Sequence, residues 1–133
     1  FTTCRLPWGE VGFELEWYPK FLHAATGFEM SWHDLNTIAD RVCTLIHAFW
    51  VREYGRNWSR DMDVPPARWF KDPLTKGPFK GAKLNRTNYD AMLKMYYRKR
   101  GWDESGIPTR TTLTELGLTD VANQLKNRVK LKE

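Results

Sequence analysis

The sequence predicts an all-α fold, an irregular orthogonal domain of four to six helices joined by long loops rich in Pro, Gly and aromatic residues. Apolar residues recur at spacings of three and four between Leu35 and Phe49, as in an amphipathic helix. No alternating pattern typical of a strand persists along the chain. A chain of 133 residues is long enough to bury a core, so residues 1–133 are predicted to form a single helical domain.

The first two helices are predicted from their end signals. The first runs from Trp17 to Gly27, a glycine placed to adopt the left-handed conformation that ends helices. The second is capped by Ser31, with Asp34 in its first turn, and ends before Gly55. Its predicted buried face comprises Leu35, Ile38, Ala39, Val42, Leu45, Ile46 and Phe49.

Residues 56–86 are predicted to contain no regular helix or sheet, because prolines and glycines interrupt them repeatedly. Their aromatic residues predict that this segment packs over the helices instead of forming a free linker. The breakers are Pro65, Pro66, Pro73, Gly77, Pro78 and Gly81, and the aromatic residues are Trp58, Trp69, Phe70 and Phe79.

A third long helix is predicted from a cap at Thr87 or Asn88 to Arg100, with Gly101 at its exit. Its predicted buried face comprises Tyr89, Met92, Leu93, Tyr96 and Tyr97.

The C-terminal part is predicted as a turn-rich loop over residues 101–110 and two short helices. Thr111 begins a single helical turn that ends at Gly117. Thr119 and Asp120 are predicted to cap the last helix. That helix carries Val121, Ala122, Leu125 and Val129 on one face.

Charge and composition exclude several classes of partner. The net charge of +5 is modest, and its densest groups, residues 98–100 and the tail cations between Lys126 and Lys132, lie where helices are expected to end. We therefore expect no nucleic-acid partner. The sequence has no apolar run long enough to span a membrane and no signal peptide, so no membrane partner is expected. Two cysteines indicate a reducing compartment, and hence a cytoplasmic location.

The residues by themselves indicate no metal site. His23, His33, His47, Cys4 and Cys43 are the available soft ligands, and none of them shows the close spacing of a zinc site. His47 is interpreted as a partly buried structural histidine. Cys43 is interpreted as a small core residue.

The loop carboxylates also have a structural interpretation. Asp61, Asp63, Asp103 and Glu104 could in principle perform acid–base chemistry. Aspartate in such loops is more typical of turns and helix caps. No catalytic residue is predicted from the sequence pattern.

A series of collinear segments resembles the C-terminal helical part of the tungsten-dependent aldehyde:ferredoxin oxidoreductases. The most specific segment is YYRKRGWDESGIPT, residues 96–109. The others are FLHAATGF at 21–28, AFWVREYG at 48–55, RDMDVPPARWF at 60–70 and LTELGL at 113–118. Together they extend over nearly the whole chain.

The resemblance implies a function for a larger parent enzyme. Members of that family hold a tungsten bis-pterin and a [4Fe–4S] cluster, oxidise aldehydes to carboxylic acids, and pass electrons to ferredoxin. Their cluster ligands come from a Cys-x-x-Cys-x-x-x-Cys run and from a late Asp-x-x-Gly-Leu-Cys motif, neither of which occurs in this sequence. The isolated chain is therefore expected to hold no cofactor and to be inactive. Its expected partners are the remaining domains of the parent, and ferredoxin is expected as the partner of the parent.

The resemblance places the first residues of the chain near the substrate cavity. Cys4 lies close to where the late family cysteine is expected, and it is either a cluster ligand or a neighbouring pocket or packing residue. Phe1, Thr2 and Thr3 are expected to contribute to the substrate cavity or to the surroundings of the cofactor. The helices that follow would form a wall of that cavity.

Two alternatives remain open at this stage. A related enzyme could use the same cofactor on another substrate, such as an aromatic thioester that it reduces. The chain could also be a free-standing helical interaction module without redox activity.

Overall fold

A computed structural model describes Gly12 and residues 14–133. The described part of the chain is helical, and its only strand-like feature is an isolated bridge between Trp102 and Pro108. The all-α prediction is confirmed. The helices are α1 (Trp17–Thr26), α2 (Trp32–Tyr54), α3 (Arg68–Lys71), α4 (Arg86–Lys99), α5 (Arg110–Glu115) and α6 (Thr119–Leu125), with 3₁₀ turns at Gly55–Asn57 and Arg60–Asp63.

Backbone contacts divide the chain into two compact units, residues 1–40 and 41–133, with the boundary inside α2. The assignment of one domain to residues 1–133 stays a prediction. None of the described helices is both long enough and apolar enough to cross a bilayer.

The first unit confirms the two local end signals. Gly27 adopts a φ of 74°, and its N–H donates to the carbonyl of His23 (2.8 Å), which closes the end of α1. The Ser31 Oγ accepts from the Asp34 N–H (3.2 Å), and the Asp34 carboxylate accepts from the Ser31 N–H (2.8 Å). This reciprocal pair starts α2. The hydrogen bonds from Ser31 lower the pKa of Asp34.

The core of the second unit joins α2 to the two C-terminal helices. Ala48 and Val51 of α2 pack in one cluster with Leu113 of α5. The cluster is completed by Leu118, Ala122 and Leu125 at and within α6. Half-buried side chains surround it, namely Trp58, Ile107, Leu116, Val121, Val129 and Leu131.

The predicted buried face of α2 is largely wrong. Of its seven residues only Leu35 is buried, and Val42, Leu45, Ile46 and Phe49 are between 44% and 55% exposed. The face that packs in the second unit carries Thr44, Ala48 and Val51 instead, whose small or branched side chains allow close approach. Cys43 is exposed, so its assignment to the core is also wrong.

The start of α4 differs from the prediction. Asn85 is the cap, because its side-chain oxygen accepts from the Asn88 N–H (3.0 Å), so a cap at Thr87 or Asn88 is wrong. The backbone N–H of Leu84 donates to the Trp69 carbonyl (3.0 Å), which fixes the chain just before Asn85. On the predicted buried face, Tyr97 is fully buried and Tyr89 and Leu93 are half-buried, whereas Met92 and Tyr96 are exposed.

The connection between α5 and α6 explains why the predicted cap of α6 is also incorrect. Gly117 adopts a φ of 66° and donates to the Thr114 carbonyl (2.9 Å), while the Leu118 N–H donates to the Leu113 carbonyl (2.7 Å). This is a Schellman motif, and Leu118 is its buried apolar residue. Leu118 is therefore the residue before α6, and no side chain caps that helix, contrary to the prediction for Thr119 and Asp120.

The breaker-rich segment is more regular than predicted. It contains both 3₁₀ turns and the single turn α3, although no long helix. Trp58 and Phe70 are half-buried, as expected of a packed segment. Trp69 and Phe79 are 52% and 72% exposed, so packing over the helices is wrong for these two residues. The short helix after the 101–110 loop begins at Arg110, with Thr109 as its cap.

Replacing Leu113 with alanine is expected to lower the free energy of unfolding by about 2–5 kcal/mol, because the change leaves a cavity in the core. Leu45→Ala is the matched control: it removes the same atoms from an exposed site and should change stability by less than about 1 kcal/mol. Urea titrations of the 133-residue chain followed by circular dichroism measure both. Equal losses would contradict the assignment of the two faces.

Candidate functional site

The residues predicted to line the substrate cavity, Phe1, Thr2, Thr3 and Cys4, lie outside the described residues. Their assignments stay predictions. Within the described part of the chain, two features of the second unit combine polar groups with apolar surroundings. One is a half-buried cluster around His47, and the other is an exposed basic loop.

The His47 cluster comprises His47, Asp63, Tyr97, Trp102 and Gly106. The Tyr97 hydroxyl donates to the Asp63 carboxylate (2.5 Å), and His47 Nε2 lies 3.9 Å from the same carboxylate oxygen. His47 Nε2 is 2.7 Å from the Gly106 carbonyl oxygen. Because a carbonyl only accepts, this nitrogen carries the proton. The cluster thus ties α2, the Arg60–Asp63 turn, α4 and the loop after α4 together.

Aromatic rings enclose the imidazole of His47. The Trp102 ring stacks on it at a centroid distance of 3.9 Å, and the Trp58 ring meets it edge-on at 5.1 Å. The Trp58 indole N–H donates to the Ser105 carbonyl (2.9 Å), which holds the loop beside the cluster. The prediction of a partly buried structural histidine is confirmed.

Local geometry at the end of α4 places two members of the cluster. Gly101 has a φ of 67° and donates to the Arg98 carbonyl (3.1 Å), while the Trp102 N–H donates to the Tyr97 carbonyl (2.9 Å). This second Schellman motif turns the chain at Gly101, so that Trp102 lies next to Tyr97. A side chain at Gly101 would collide with the Thr112 hydroxyl.

The turn that contains Asp63 is fixed on α4 by separate contacts. The Tyr89 hydroxyl donates to the Asp63 backbone carbonyl (2.6 Å). Arg60 Nη2 donates to both the carbonyl (3.0 Å) and the carboxylate (3.1 Å) of Asp90. Arg86 Nε donates to the other Asp90 carboxylate oxygen (3.0 Å). These contacts therefore position Asp63 independently of the hydrogen bond between its carboxylate and Tyr97.

Burial sets the protonation of the cluster. Desolvation lowers the pKa of His47, against the opposing effects of the Asp63 charge and the Gly106 carbonyl. Desolvation also raises the pKa of Tyr97, and the hydrogen bond to Asp63 raises it further. At neutral pH the cluster therefore holds a neutral phenol, and burial favours the neutral imidazole.

Asp103 agrees with the sequence interpretation of the loop carboxylates. The Asp103 side chain accepts from the Ser105 N–H (2.8 Å) and the Ile107 N–H (3.0 Å), as an aspartate in a turn does. Asp63 is the residue that the sequence interpretation missed as the centre of a cluster. Its only signal was its position in a proline-rich loop that also contains Asp61.

The second feature is the basic loop, defined as residues 68–84. It encloses an open cleft of about 590 Å³ lined mainly by apolar side chains, with Arg68, Asp72, Thr75 and Lys83 as its polar members. The backbone is fixed by hydrogen bonds from the Leu74 N–H to the Ala82 carbonyl (2.9 Å) and from the Gly81 N–H to the Leu74 carbonyl (2.8 Å).

The described residues do not fit the ligand set of a metal or cluster. No group of three or more His, Cys, Asp and Glu side chains among them could hold a metal ion. Cys43 is a free, exposed thiol on α2. The described side chains position loops and present exposed surfaces.

Comparisons with known proteins identify the class of protein to which this chain is similar. A family model described as aldehyde ferredoxin oxidoreductase, domains 2 and 3, matches residues 1–118. A tungsten-containing aldehyde ferredoxin oxidoreductase of Pyrococcus furiosus is 32% identical over 103 residues, which is 77% of this chain and 16% of that protein. The corresponding protein of Thermococcus kodakarensis is 31% identical over the same share.

Two further relatives have different names. The WOR-like subunit of an aliphatic sulfonate oxidoreductase from Pyrococcus furiosus is 42% identical over 67 residues, 50% of this chain and 10% of that protein. The solved active-site complex BamBC of benzoyl coenzyme A reductase, in complex with 1,5-dienoyl-CoA, matches 87% of this chain at a TM-score of 0.65 and 32% identity. The match covers 16% of that structure's chain.

The chain belongs to the aldehyde ferredoxin oxidoreductase family, a family of oxidoreductases. The resemblance found in the sequence is therefore confirmed. The chain spans 16% or less of the length of the relatives described above.

The Gly106→Ala variant is expected to lose about 2–4 kcal/mol of stability. Gly106 has a φ of 80°, and an added Cβ would lie 2.7 Å from Cζ of the buried Tyr97. Gly77→Ala is the matched control, because Gly77 has a φ of 83° and nothing within 4 Å of an added Cβ. It should lose only about 1–2 kcal/mol. Denaturant titrations measure both variants. Equal losses of stability would contradict the close contact between position 106 and Tyr97.

Stability should fall as the pH drops below about 6.5, the ordinary pKa of histidine. The folded state holds the pKa of His47 below that value, so the unfolded chain binds the proton more tightly and unfolding is favoured. We expect His47→Gln to flatten this slope in melts between pH 7.5 and pH 5. His33→Gln, at an exposed position, is the control and should keep it. A slope that persists in His47→Gln would contradict the role of this residue.

Proposed function

We propose that the chain forms the C-terminal helical part of a tungsten-dependent oxidoreductase that oxidises aldehydes to carboxylic acids. The observation that carries the proposal is the family model for domains 2 and 3, which matches residues 1–118. The aldehyde is proposed as substrate because the family model is named for aldehyde ferredoxin oxidoreductase, and the relatives of Pyrococcus furiosus and Thermococcus kodakarensis with that name match over 77% of the chain.

In this proposal the chain supports the chemistry without performing it. The parent would hold a tungsten bis-pterin and a [4Fe–4S] cluster on segments other than the described residues, which offer no ligand set. The tungsten centre would supply the two-electron oxidation of the aldehyde, and water the added oxygen. The helices of this chain would form a wall of the substrate cavity and hold its shape.

Phe1, Thr2 and Thr3 are proposed to reach the substrate cavity, as the resemblance implies. Cys4 is proposed either as a ligand of the cluster or as a neighbouring packing residue. Both assignments give these four residues a role in orienting the reacting groups. The isolated chain is proposed to be inactive, and the parent to be cytoplasmic.

The remaining domains of the parent are the proposed partners of the exposed apolar surface of α2. Val42, Leu45, Ile46 and Phe49 are all between 44% and 55% exposed, on a side of the helix away from Ala48 and Val51. A continuous apolar face of this kind is typical of an interaction surface. Ferredoxin is the proposed electron acceptor of the parent.

The experiment is to express the whole reading frame that contains this chain and to purify the product without oxygen. We expect tungsten and iron by elemental analysis, and aldehyde oxidation with benzyl viologen as the acceptor. Alkyl sulfonates and aryl-CoA thioesters serve as competing substrates. A reading frame that encodes only this chain, or a product without tungsten, would contradict the proposal.

Variants of the first residues test the role in the cavity. Phe1→Ala and Thr3→Val in the whole enzyme should shift the ratio of kcat/KM between a short and a bulky aldehyde by about tenfold, because pocket volume sets this ratio. Thr114→Val, at an exposed position on α5, is the control and should leave the ratio unchanged. An unchanged ratio in all three variants would remove Phe1 and Thr3 from the cavity. The iron content of the Cys4→Ser enzyme distinguishes the two roles proposed for Cys4. The iron content should fall if Cys4 is a ligand of the cluster, and it should stay unchanged if Cys4 is a neighbouring packing residue.

A further inference from the structure

The basic loop carries a net positive charge beside its cleft. Residues 68–84 contain five cations and one anion, a net charge of +4, while the whole chain carries +5. The five cations are Arg68, Lys71, Lys76, Lys80 and Lys83, and the anion is Asp72. The remaining residues sum to +1, and their densest basic groups, residues 98–100 and the cations between Lys126 and Lys132, lie near the ends of α4 and α6.

The cations of the loop have no carboxylate partner among the described residues. The ion pairs in this region involve Arg60 and Arg86 with Asp90 and Asp61, outside the loop. All five loop cations are exposed. Their charges are thus free to act on another molecule.

The apolar side chains of the loop are exposed next to these charges. Trp69, Leu74 and Phe79 are between 52% and 72% exposed, and Leu84 is 40% exposed. All four line the cleft of about 590 Å³, together with the charged residues Arg68, Asp72 and Lys83. Because backbone hydrogen bonds already fix the loop, little ordering would be needed when a partner binds.

We propose that the basic loop is the docking surface for an acidic electron-carrier protein. The inference rests on the proposed function, in which each two-electron oxidation of an aldehyde is balanced by two one-electron transfers to the carrier. Acidic side chains of the carrier would meet the five cations, and an apolar side chain would enter the cleft beside Trp69 and Phe79. Aromatic residues and Arg are the usual anchors of such interfaces.

The size and charge of the surface suit a transient complex. Electron-transfer partners bury small interfaces, generally less than about 1,200 Å², and release each other quickly. A cluster of like charges raises the rate of association with an oppositely charged partner, in a manner that salt weakens. The basic loop, with a net charge of +4, provides the like-charge cluster that such an association needs.

Other occupants agree less well with these observations. Burial of the loop against another domain of the parent would require carboxylate partners for five cations, since unpaired buried charges are costly. Nucleic acid prefers an extended basic stripe, whereas the cleft beside these cations is largely apolar. An acidic protein satisfies the charges and the apolar cleft together.

The test is made in the whole enzyme. The variant carries Lys76→Glu, Lys80→Glu and Lys83→Glu, and the matched control carries Lys126→Glu, Arg128→Glu and Lys130→Glu, an equal change of charge at the exposed C-terminal tail. The acceptors are an acidic two-[4Fe–4S] ferredoxin and the small dye benzyl viologen. We expect KM for ferredoxin to rise at least about tenfold in the loop variant and to lose most of its dependence on salt. Turnover with viologen should stay within twofold, and the control should match the unmodified enzyme.

Several outcomes would overturn the inference. One is an unchanged KM for ferredoxin in the loop variant, and another is an equal rise in the control. A fall in viologen turnover together with the melting temperature would show an internal contact instead; the single variant Lys80→Gln then repeats the KM measurement in a folded enzyme. Binding of a DNA duplex that is lost only in the loop variant would assign the surface to nucleic acid.

Failure of the proposed function is distinguishable from failure of the inference. Absence of aldehyde oxidation with viologen in the unmodified enzyme contradicts the function and does not involve the loop. Ferredoxin binding is measured in parallel by biolayer interferometry, which needs no turnover. Viologen turnover with ferredoxin binding that is the same in the loop variant and the unmodified enzyme contradicts only the docking surface.

Discussion

The hydrogen bond from the Tyr97 hydroxyl to the Asp63 carboxylate is the contact on which the arrangement of the second unit depends. It fastens the Arg60–Asp63 turn to α4, and His47 approaches the same carboxylate from α2. His47 in turn holds the Gly106 carbonyl, so the loop after α4 is fixed by the same group of residues. A half-buried network of this kind is most stable when its members are satisfied together. Loss of one partner would therefore weaken the attachment of loops that are far apart in sequence.

The sequence predicted a helix end correctly where that end depends only on neighbouring residues. The Gly27 end of α1 and the Ser31–Asp34 start of α2 need only neighbouring residues, and both are confirmed. The cap of α4 could not be chosen among nearby polar residues. Asn85 is selected because the Leu84 backbone is held by Trp69, a contact across the breaker-rich segment. The His47 cluster could not be predicted for the same reason, since Asp63 and Tyr97 are 34 residues apart.

The orientation of α2 shows a second property that the hydrophobic periodicity of a sequence does not predict. Its apolar residues form a wide stripe, and a sequence indicates only that such a stripe is to be covered, not by which partner. In the second unit, Ala48 and Val51 contact the C-terminal helices, and the larger residues Leu45, Ile46 and Phe49 remain exposed. A helix that is apolar on more than one side is typical of a segment buried in a larger protein. The family assignment, in which this chain spans 16% or less of its relatives' length, gives that exposed stripe a physical reason.

The two kinds of exposed surface in the second unit have different physical consequences. The stripe on α2 is apolar, and its burial is favourable in proportion to the area covered, which suits a permanent contact. The basic loop combines an apolar cleft with unpaired cations, and permanent burial of those charges would remove much of that gain. A partner that arrives, exchanges an electron and leaves keeps the cations near solvent for most of the time. The balance between desolvation and charge attraction thus distinguishes the surface proposed for the parent's own domains from the surface proposed for an exchangeable partner.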